Sequence, residues 1–424
     1  MTKSLYLMIS CLLLLLFPPV ASAQPIKTPL NLGQLVEEAL QNNPEILSAK
    51  KRWEVFVERV PQASALEDPM LGFGIINLPT NFSFKEEDMT MKELFVSQKL
   101  PFPGKRPLMR EMAEKEAEAV SVEIDDKANR IIKEVKTAYF DLSHVYRARE
   151  VTQRNKGILE TLAKIADTRY STGEGVQQDV LKAHVETSRM VDELIMLGQK
   201  KVALEAKLHS LLNRSEGGSM GEPEELIFRK FPLILEELQK TALDSNPTLK
   251  AMKTMIEAKE KAHSLAKLDY YPDFTFRFAY GQRDDSPEMN RRDMLSGMVE
   301  VNIPIFYESK QSRKVAEKLA DMQALTAQYG TMKNEIFYMI ASMASMLQRT
   351  ERQLELYKTG IIPQASIQVK SALSAYTVNK INFMTLLDSQ MSLYRYELQY
   401  HEALTEYEKN LSSLETAVGT RFLR

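Results

Sequence analysis

The 424-residue chain has one cysteine, one tryptophan, only 16 glycines and a formal net charge of −2 at pH 7. The cysteine, Cys11, lies in an N-terminal leader, so the rest of the chain has no disulfide, thiol nucleophile or cysteine metal site. Balanced charge gives no support for nucleic-acid binding. The histidines His144, His184, His209, His263 and His401 never fall at metal-ligand spacing. There is no Gly-x-Ser-x-Gly, His-Glu-x-x-His or phosphate loop, so an exported hydrolase has no convergent site to start from. Neither a catalytic residue nor a cofactor is expected. Beyond the leader no run is apolar enough for a spanning helix, so any membrane crossing must use strands.

Residues 1–23 read as a secretory signal peptide: Lys3, the apolar run Leu5 to Phe17, and Ala21-Ser22-Ala23 before Gln24. The run is too short for a retained anchor. It also continues past Cys11, which argues against lipidation there. Leu, Ala, Glu, Lys, Gln and Met abound afterwards, so helix should dominate.

One stretch organises the chain. From Lys105 to Tyr170, Ala113, Ala117, Val120, Ile124, Ala128, Ile131, Val135, Ala138, Leu142 and Val145 recur at alternating steps of three and four. That spacing predicts a single rod with one apolar stripe, roughly 100 Å long. Before it, an extended arm over Pro25 to Leu30 leads to helical patterns on either side of Asn43-Pro44. Strands are expected over 70–78 and 91–100, where the period falls to two. The return helix covers 176–213, and the glycines of 214–231 mark a linker.

The pattern then repeats. Asn43-Pro44 recurs as Asn246-Pro247, Pro69 as Pro272 and Pro101 as Pro304, always at an offset of 203 residues. This predicts an internal duplication: repeat 1 over 24–213 and repeat 2 over 232–424. The second copy has strands near 273–281 and 294–303 and long helices over 309–375 and 382–418. Each strand has one wholly apolar face and the length of a transmembrane β-strand. A single such strand would more simply be half-buried in a soluble sandwich. Four of them, paired across polar loops in an exported chain, favour the membrane. Four strands cannot close a barrel, whereas three copies contribute twelve and leave room for a passage.

These landmarks resemble the TolC-like outer membrane efflux family. The resemblance rests on the two Asn-Pro openings, on Ser97-Gln98-Lys99-Leu100-Pro101-Phe102-Pro103-Gly104-Lys105-Arg106, and on the reversals Arg169-Tyr170-Ser171-Thr172-Gly173 and Ala375-Tyr376-Thr377-Val378-Asn379. The Pro-Phe-Pro-Gly passage looks nearest the heavy-metal branch. The resemblance implies a mainly α protein with a membrane β-barrel, a homotrimer in the outer membrane of a Gram-negative bacterium with a long periplasmic portion. It further implies a periplasmic adaptor and an inner-membrane transporter of the resistance-nodulation-division type as partners. It implies that Asp179 and Tyr376 form a locking pair at the helix tip and that Asp388 lines a constriction. The basic lock residue of better-known members falls at Ile381, leaving only adjacent Lys380 as a substitute, and a second acidic ring falls at Thr385. Asp179 reads equally well as a helix-start carboxylate.

Gly173, Gly175 and Asn379 are expected at positive φ. Tyr170, Ser171, Thr172, Val378 and Lys380 at the tips are the expected adaptor contacts. Arg277 and Glu300, on the polar faces of their strands, either tune a lumen or form a strand-to-strand ion pair. Loop residues Asp284, Asp285, Glu288, Arg291 and Arg292 read as solvated surface. Helical methionines such as Met339, Met343 and Met346 read as core packing, as does Trp53. An exported coiled-coil scaffold would account for the rods but not for four matched strands.

Overall fold

The computed structural model describes residues 29–215 and 219–422. The leader with Cys11, the start of the arm, and linker residues Gly217 and Gly218 lie outside the described residues. In chain order the elements are α1 (Leu32–Asn42), α2 (Pro44–Ser64), β1 (Met70–Ile76), β2 (Met91–Leu100), α3 (Lys105–Ser171) and α4 (Gln177–Leu211). Then follow α5 (Leu235–Ser245), α6 (Pro247–Leu268), β3 (Phe274–Gln282), β4 (Met294–Val301), α7 (Gln311–Leu356), a π-turn (Tyr357–Ile361), α8 (Ile362–Thr377) and α9 (Phe383–Val418).

The mainly helical fold is built around α3. Its 67 residues make a rod of about 100 Å. Helices α1, α2, α4, α6 and α9 all pack along it. Ala113, Ala117, Val120, Ile131, Val135, Ala138, Leu142 and Val145 are buried on the stripe that the spacing predicts. The start of the rod is tied down by ions. Lys105 is buried and places Nζ 2.8 Å from Asp273 and 3.2 Å from Asp269. Asp273 also accepts from the Phe102 amide at 2.9 Å, and Phe102 stacks on Tyr271.

The two Asn-Pro steps do the same physical work. Asn43 caps α2 by accepting from the Glu45 amide, and its Nδ2 donates to the Leu211 carbonyl at 2.9 Å. Asn246 caps α6 through the Leu249 amide and donates to the Ala417 carbonyl at 2.8 Å. Each caps one helix and closes the end of another, and proline at the next position costs nothing because that amide has no helical partner. The segment after residue 218 is strapped to the rods rather than free. Tyr146 donates to the Gly221 carbonyl, the Glu224 amide donates to the Tyr139 hydroxyl, and the Phe231 amide donates to the Tyr407 hydroxyl.

The second long helix, expected over 309–375, is helical from Gln311 to Thr377 and contains a π-turn at Tyr357–Ile361. Pro363 has no amide to offer the Thr359 carbonyl, and the wider turn absorbs the missing bond. Trp53 is 37% exposed rather than core. Met339 and Met346 are also exposed, and of the three methionines only Met343 packs against a core cluster. All three exposed side chains sit on helix faces that the other described residues cover only in part.

The strands form one antiparallel sheet in the order β1-β2-β3-β4. Pairings such as Leu71↔Val96, Val96↔Phe278 and Phe278↔Gly297 align one apolar face across the sheet. Leu71, Phe73, Leu94, Phe278, Leu295 and Val299 on it are exposed, Leu295 by 87%. The opposite face carries Glu93, Phe95, Ser97, Thr275, Arg277 and Glu300 in register. Phe95 lies across Gly72, where an added Cβ would meet its ring at 2.3 Å and force the ring to shift. Among the described residues no partner strand covers the outer edge of β1 or β4.

Candidate gating and lining sites

Two helix reversals meet at the end of the rods farthest from the sheet. At the first, α3 ends in a tight cap: the Thr172 amide donates to Thr168, the Gly173 amide to Tyr170, and the Glu174 and Gly175 amides to the Arg169 carbonyl. Gly173 has φ +79° and Asn379 φ +60°, as the reversals require. Gly175 serves a different need from the one expected. Its Cβ would lie 3.1–3.2 Å from the backbone of Tyr170 and Arg169, so close approach, not positive φ, selects glycine. Asn382 opens α9 by accepting from the Thr385 amide and hydroxyl. Tyr170, Ser171, Thr172 and Val378 are exposed along the rim, as is Lys380.

Tyr376, by contrast, is buried in a cluster with Ala166, Ala183, Ala372, Phe383, Leu386 and Leu387. Its ring meets Phe383 edge-on. Ile381 packs against the same cluster, so the position that would hold a basic residue is apolar here. Asp179 and Tyr376, expected as a locking pair, share no hydrogen bond within the protomer; what lies between the hairpins is Arg169. Its guanidinium sits 4.7 Å over the Tyr376 ring, and Nη1 donates to the Tyr376 carbonyl at 2.6 Å. Burial pushes the Asp179 carboxyl above its ordinary range, opposed by the charge of Arg169. Burial likewise raises the Tyr376 phenol. Thr385 and Asp388 are exposed on the face of α9 opposite its buried Leu386 and Leu387.

Above the tip a polar layer joins the hairpins. Gln390 donates to buried Asn155 at 2.8 Å, and the Thr152 and Tyr394 hydroxyls lie 3.0 Å apart. These residues were not legible as a site, since an isolated Asn or Thr in a helical pattern carries no signal until its partner is known. Arg169 had one signal: it opens the reversal motif on which the family resemblance rests.

At the other end, Arg277 forms an ion pair with Glu93 across β2 and β3, and its guanidinium lies 3.8 Å over the Phe95 ring. Its partner is therefore not Glu300, which stands opposite Thr275. The loops correct a further expectation. Glu288 and Arg292 are exposed, but the Arg291 side chain is only 3% exposed. It donates to the carbonyls of Lys85 and Glu87 and to the Asp88 carboxylate, clamping the loop after β1 to the loop after β3. Among the described residues no group of His, Cys, Asp and Glu could hold a metal ion. No helix there is long and apolar enough to cross a membrane.

Comparison with known proteins gives the same architecture a family. The cobalt-zinc-cadmium resistance protein CzcC of Cupriavidus metallidurans is 21% identical over 321 residues, 74% of each chain. The solved structure of CusC, described in connection with transmembrane channel formation, matches with a TM-score of 0.78 at 15% identity over 93% of each chain. The outer membrane protein VceC of Vibrio cholerae matches with a TM-score of 0.77 at 18% identity, covering 92% of this chain and 96% of that one. At these identities the structures speak for the fold, that of a TolC-like channel protomer. The sequence model of the outer membrane efflux protein family matches residues 35–214 and again 238–420, so the chain belongs to that family.

Proposed function

We propose that three copies of this chain form a passive exit duct in the outer membrane. The observation that carries the reading is the sheet: an uncovered apolar face, a mixed polar face and two unpaired edges. Lipid accepts an apolar face but not an open edge, so closure by other copies satisfies both conditions. Three copies give a twelve-stranded barrel with Arg277 and Glu300 toward its interior, continued by a helical cylinder through the periplasm.

The duct performs no chemistry. Its tip, at the two reversals, is the gate and the docking rim for a periplasmic adaptor, which joins it to an inner-membrane transporter of the resistance-nodulation-division type. Tyr170, Ser171, Thr172, Gly173, Gly175, Val378, Asn379 and Lys380 make up that rim. Exposed Asp388, repeated three-fold near the axis, forms a ring of carboxylates that favours cations. The similarity to CzcC supports metal cations as cargo.

Conductance of the purified protein in planar bilayers tests this. Wild type should show small, mostly closed, cation-preferring currents, and Asp388→Ala should lose the preference while still conducting. Identical selectivity would remove Asp388 from the constriction. Absence of current in every variant, together with solubility without detergent, would instead support a scaffold.

A further inference from the structure

We propose that Arg169 is the latch that holds the helical tip closed, supplying from the first hairpin the cation that the second hairpin lacks at Ile381. This rests on the tip being the gate and adds the group that keeps it shut.

Position carries the first part of the argument. Arg169 lies in the last turn of α3, and its contacts are on the last turn of α8, in the other hairpin. Below the Asn155–Gln390 layer, its bond to the Tyr376 carbonyl crosses between the hairpins. Any movement that parts the hairpins at the tip must break it.

Chemistry carries the second. The Tyr376 carbonyl belongs to the C-terminal turn of α8, where it accepts from the Asn379 amide at 3.1 Å, keeps a second lone pair for Arg169, and lies where the helix dipole favours a cation. A planar guanidinium can lie on the Tyr376 ring and still donate at its edge, which an ammonium cannot do. Asp179 and Glu174 complete the charged surroundings; Glu174 is 4.0 Å from Nη2. In the second hairpin Ile381 is packed into the apolar cluster and Lys380 is exposed on the rim.

The latch is also incomplete, as a reversible one should be. The Arg169 side chain is 12% exposed, and its Nε is buried with no hydrogen-bond partner. Opening hydrates that donor, which offsets part of the loss of the stacking and of the bond to Tyr376.

The test compares wild type, Arg169→Ala and Arg169→Lys as detergent-purified assemblies. Open probability is measured in planar bilayers, and distances between spin labels at Ser171→Cys and Val378→Cys are measured by pulsed electron resonance. Arg169→Ala should raise open probability roughly tenfold or more, the scale of one charge-assisted hydrogen bond with a cation–π contact, and should broaden the label distances. Arg169→Lys, which keeps charge but not the planar stack, should fall between. An intact Arg169→Ala assembly with wild-type gating and unchanged distances overturns the latch, while altered selectivity in Asp388→Ala would leave the duct standing. No current in any variant would instead overturn the duct. If Arg169→Ala does not assemble, Arg169→Met keeps the bulk of the side chain but neither its charge nor its donors, and wild-type gating in that variant overturns the proposal equally.

Discussion

Arg291 shows how a charged side chain becomes structural when its terminal donors are met, even with its Nε left unpaired. A buried guanidinium is costly unless hydrogen-bonded. Here the carbonyls of Lys85 and Glu87 and the Asp88 carboxylate receive it, and Lys92 pairs with Asp284 beside it at 3.1 Å. The two loops beyond the strands are therefore tied to each other. Arg291→Ala should release them without preventing assembly, so trypsin should cut at Lys85, Arg283 or Arg292 at least several-fold faster in the folded protein. Unchanged proteolysis would mean that the remaining contacts suffice. The clamp was illegible in the sequence because its partners lie more than two hundred positions away in a loop equally rich in charge. Gly173 and Asn379 were legible, since positive φ is a local demand. Tyr376 was legible as a member of the tip but not in its partner, because Arg169 reaches it only through tertiary contact.

At the scale of elements, period was the readable signal. A stripe at steps of three and four can only be helical, and strict alternation flanked by turn residues can only be extended. The π-turn was not readable, because Pro363 marks a local defect in the bonding ladder without saying how the backbone resolves it. Alternation has a direct energetic consequence in β4. Val299 is on the apolar face and Met298 on the mixed one, opposite Arg277. Val299→Arg should cost about 2–4 kcal/mol near the bilayer midplane, and Met298→Arg much less. Urea unfolding in liposomes measures the difference; equal costs would deny that the apolar face meets lipid.

The seam between α3 and α9 has a different sensitivity. His144 and His401 are partly buried there with Ser143, Arg147, Glu225, Leu404 and Thr405 around them. Burial holds both imidazoles below their ordinary value of 6.5, with Lys200 adding to the effect on His144 and Arg147 to that on His401. Asp141 and Glu402 oppose the shift at His144, and Glu150 and Glu225 at His401. A lowered pKa means that the unfolded chain binds protons the folded seam refuses. Stability is thus fully present above about 6.5 and declines as pH falls through the folded values, by up to about 1.4 kcal/mol per unit and histidine. The melting temperature should fall between pH 7 and pH 5, and the double variant His144→Gln, His401→Gln should flatten that slope. A slope unaffected by the double variant would assign the acid response to other groups.

For the whole molecule, the decisive feature is how much apolar surface one protomer leaves uncovered. The sheet face is suited to lipid, but Leu181, Val185, Ile195 and Val202 on α4 are exposed along a helix far from the strands. Tyr338, Leu356 and Ile367 on α7 and α8 are exposed as well. In an aqueous compartment such stripes need a partner, and the strand edges need one within lipid. Copies of the same chain in the proposed closed ring would meet both needs with one operation, since β4 of each copy would pair with β1 of the next while α4 would meet a neighbouring helix. The detergent-purified protein should therefore behave as three copies by native mass spectrometry. Single cysteines scanned from Met70 to Ile76 in β1, each combined with Ser296→Cys in β4, should cross-link between copies. Efficiency should peak at one register and recur with a period of two, since alternate side chains point to opposite faces. A flat profile, or a monomer that keeps its fold with both edges free, would mean that the sheet is not completed edge to edge, and the barrel would have to be abandoned even though the chain's place in its family would not.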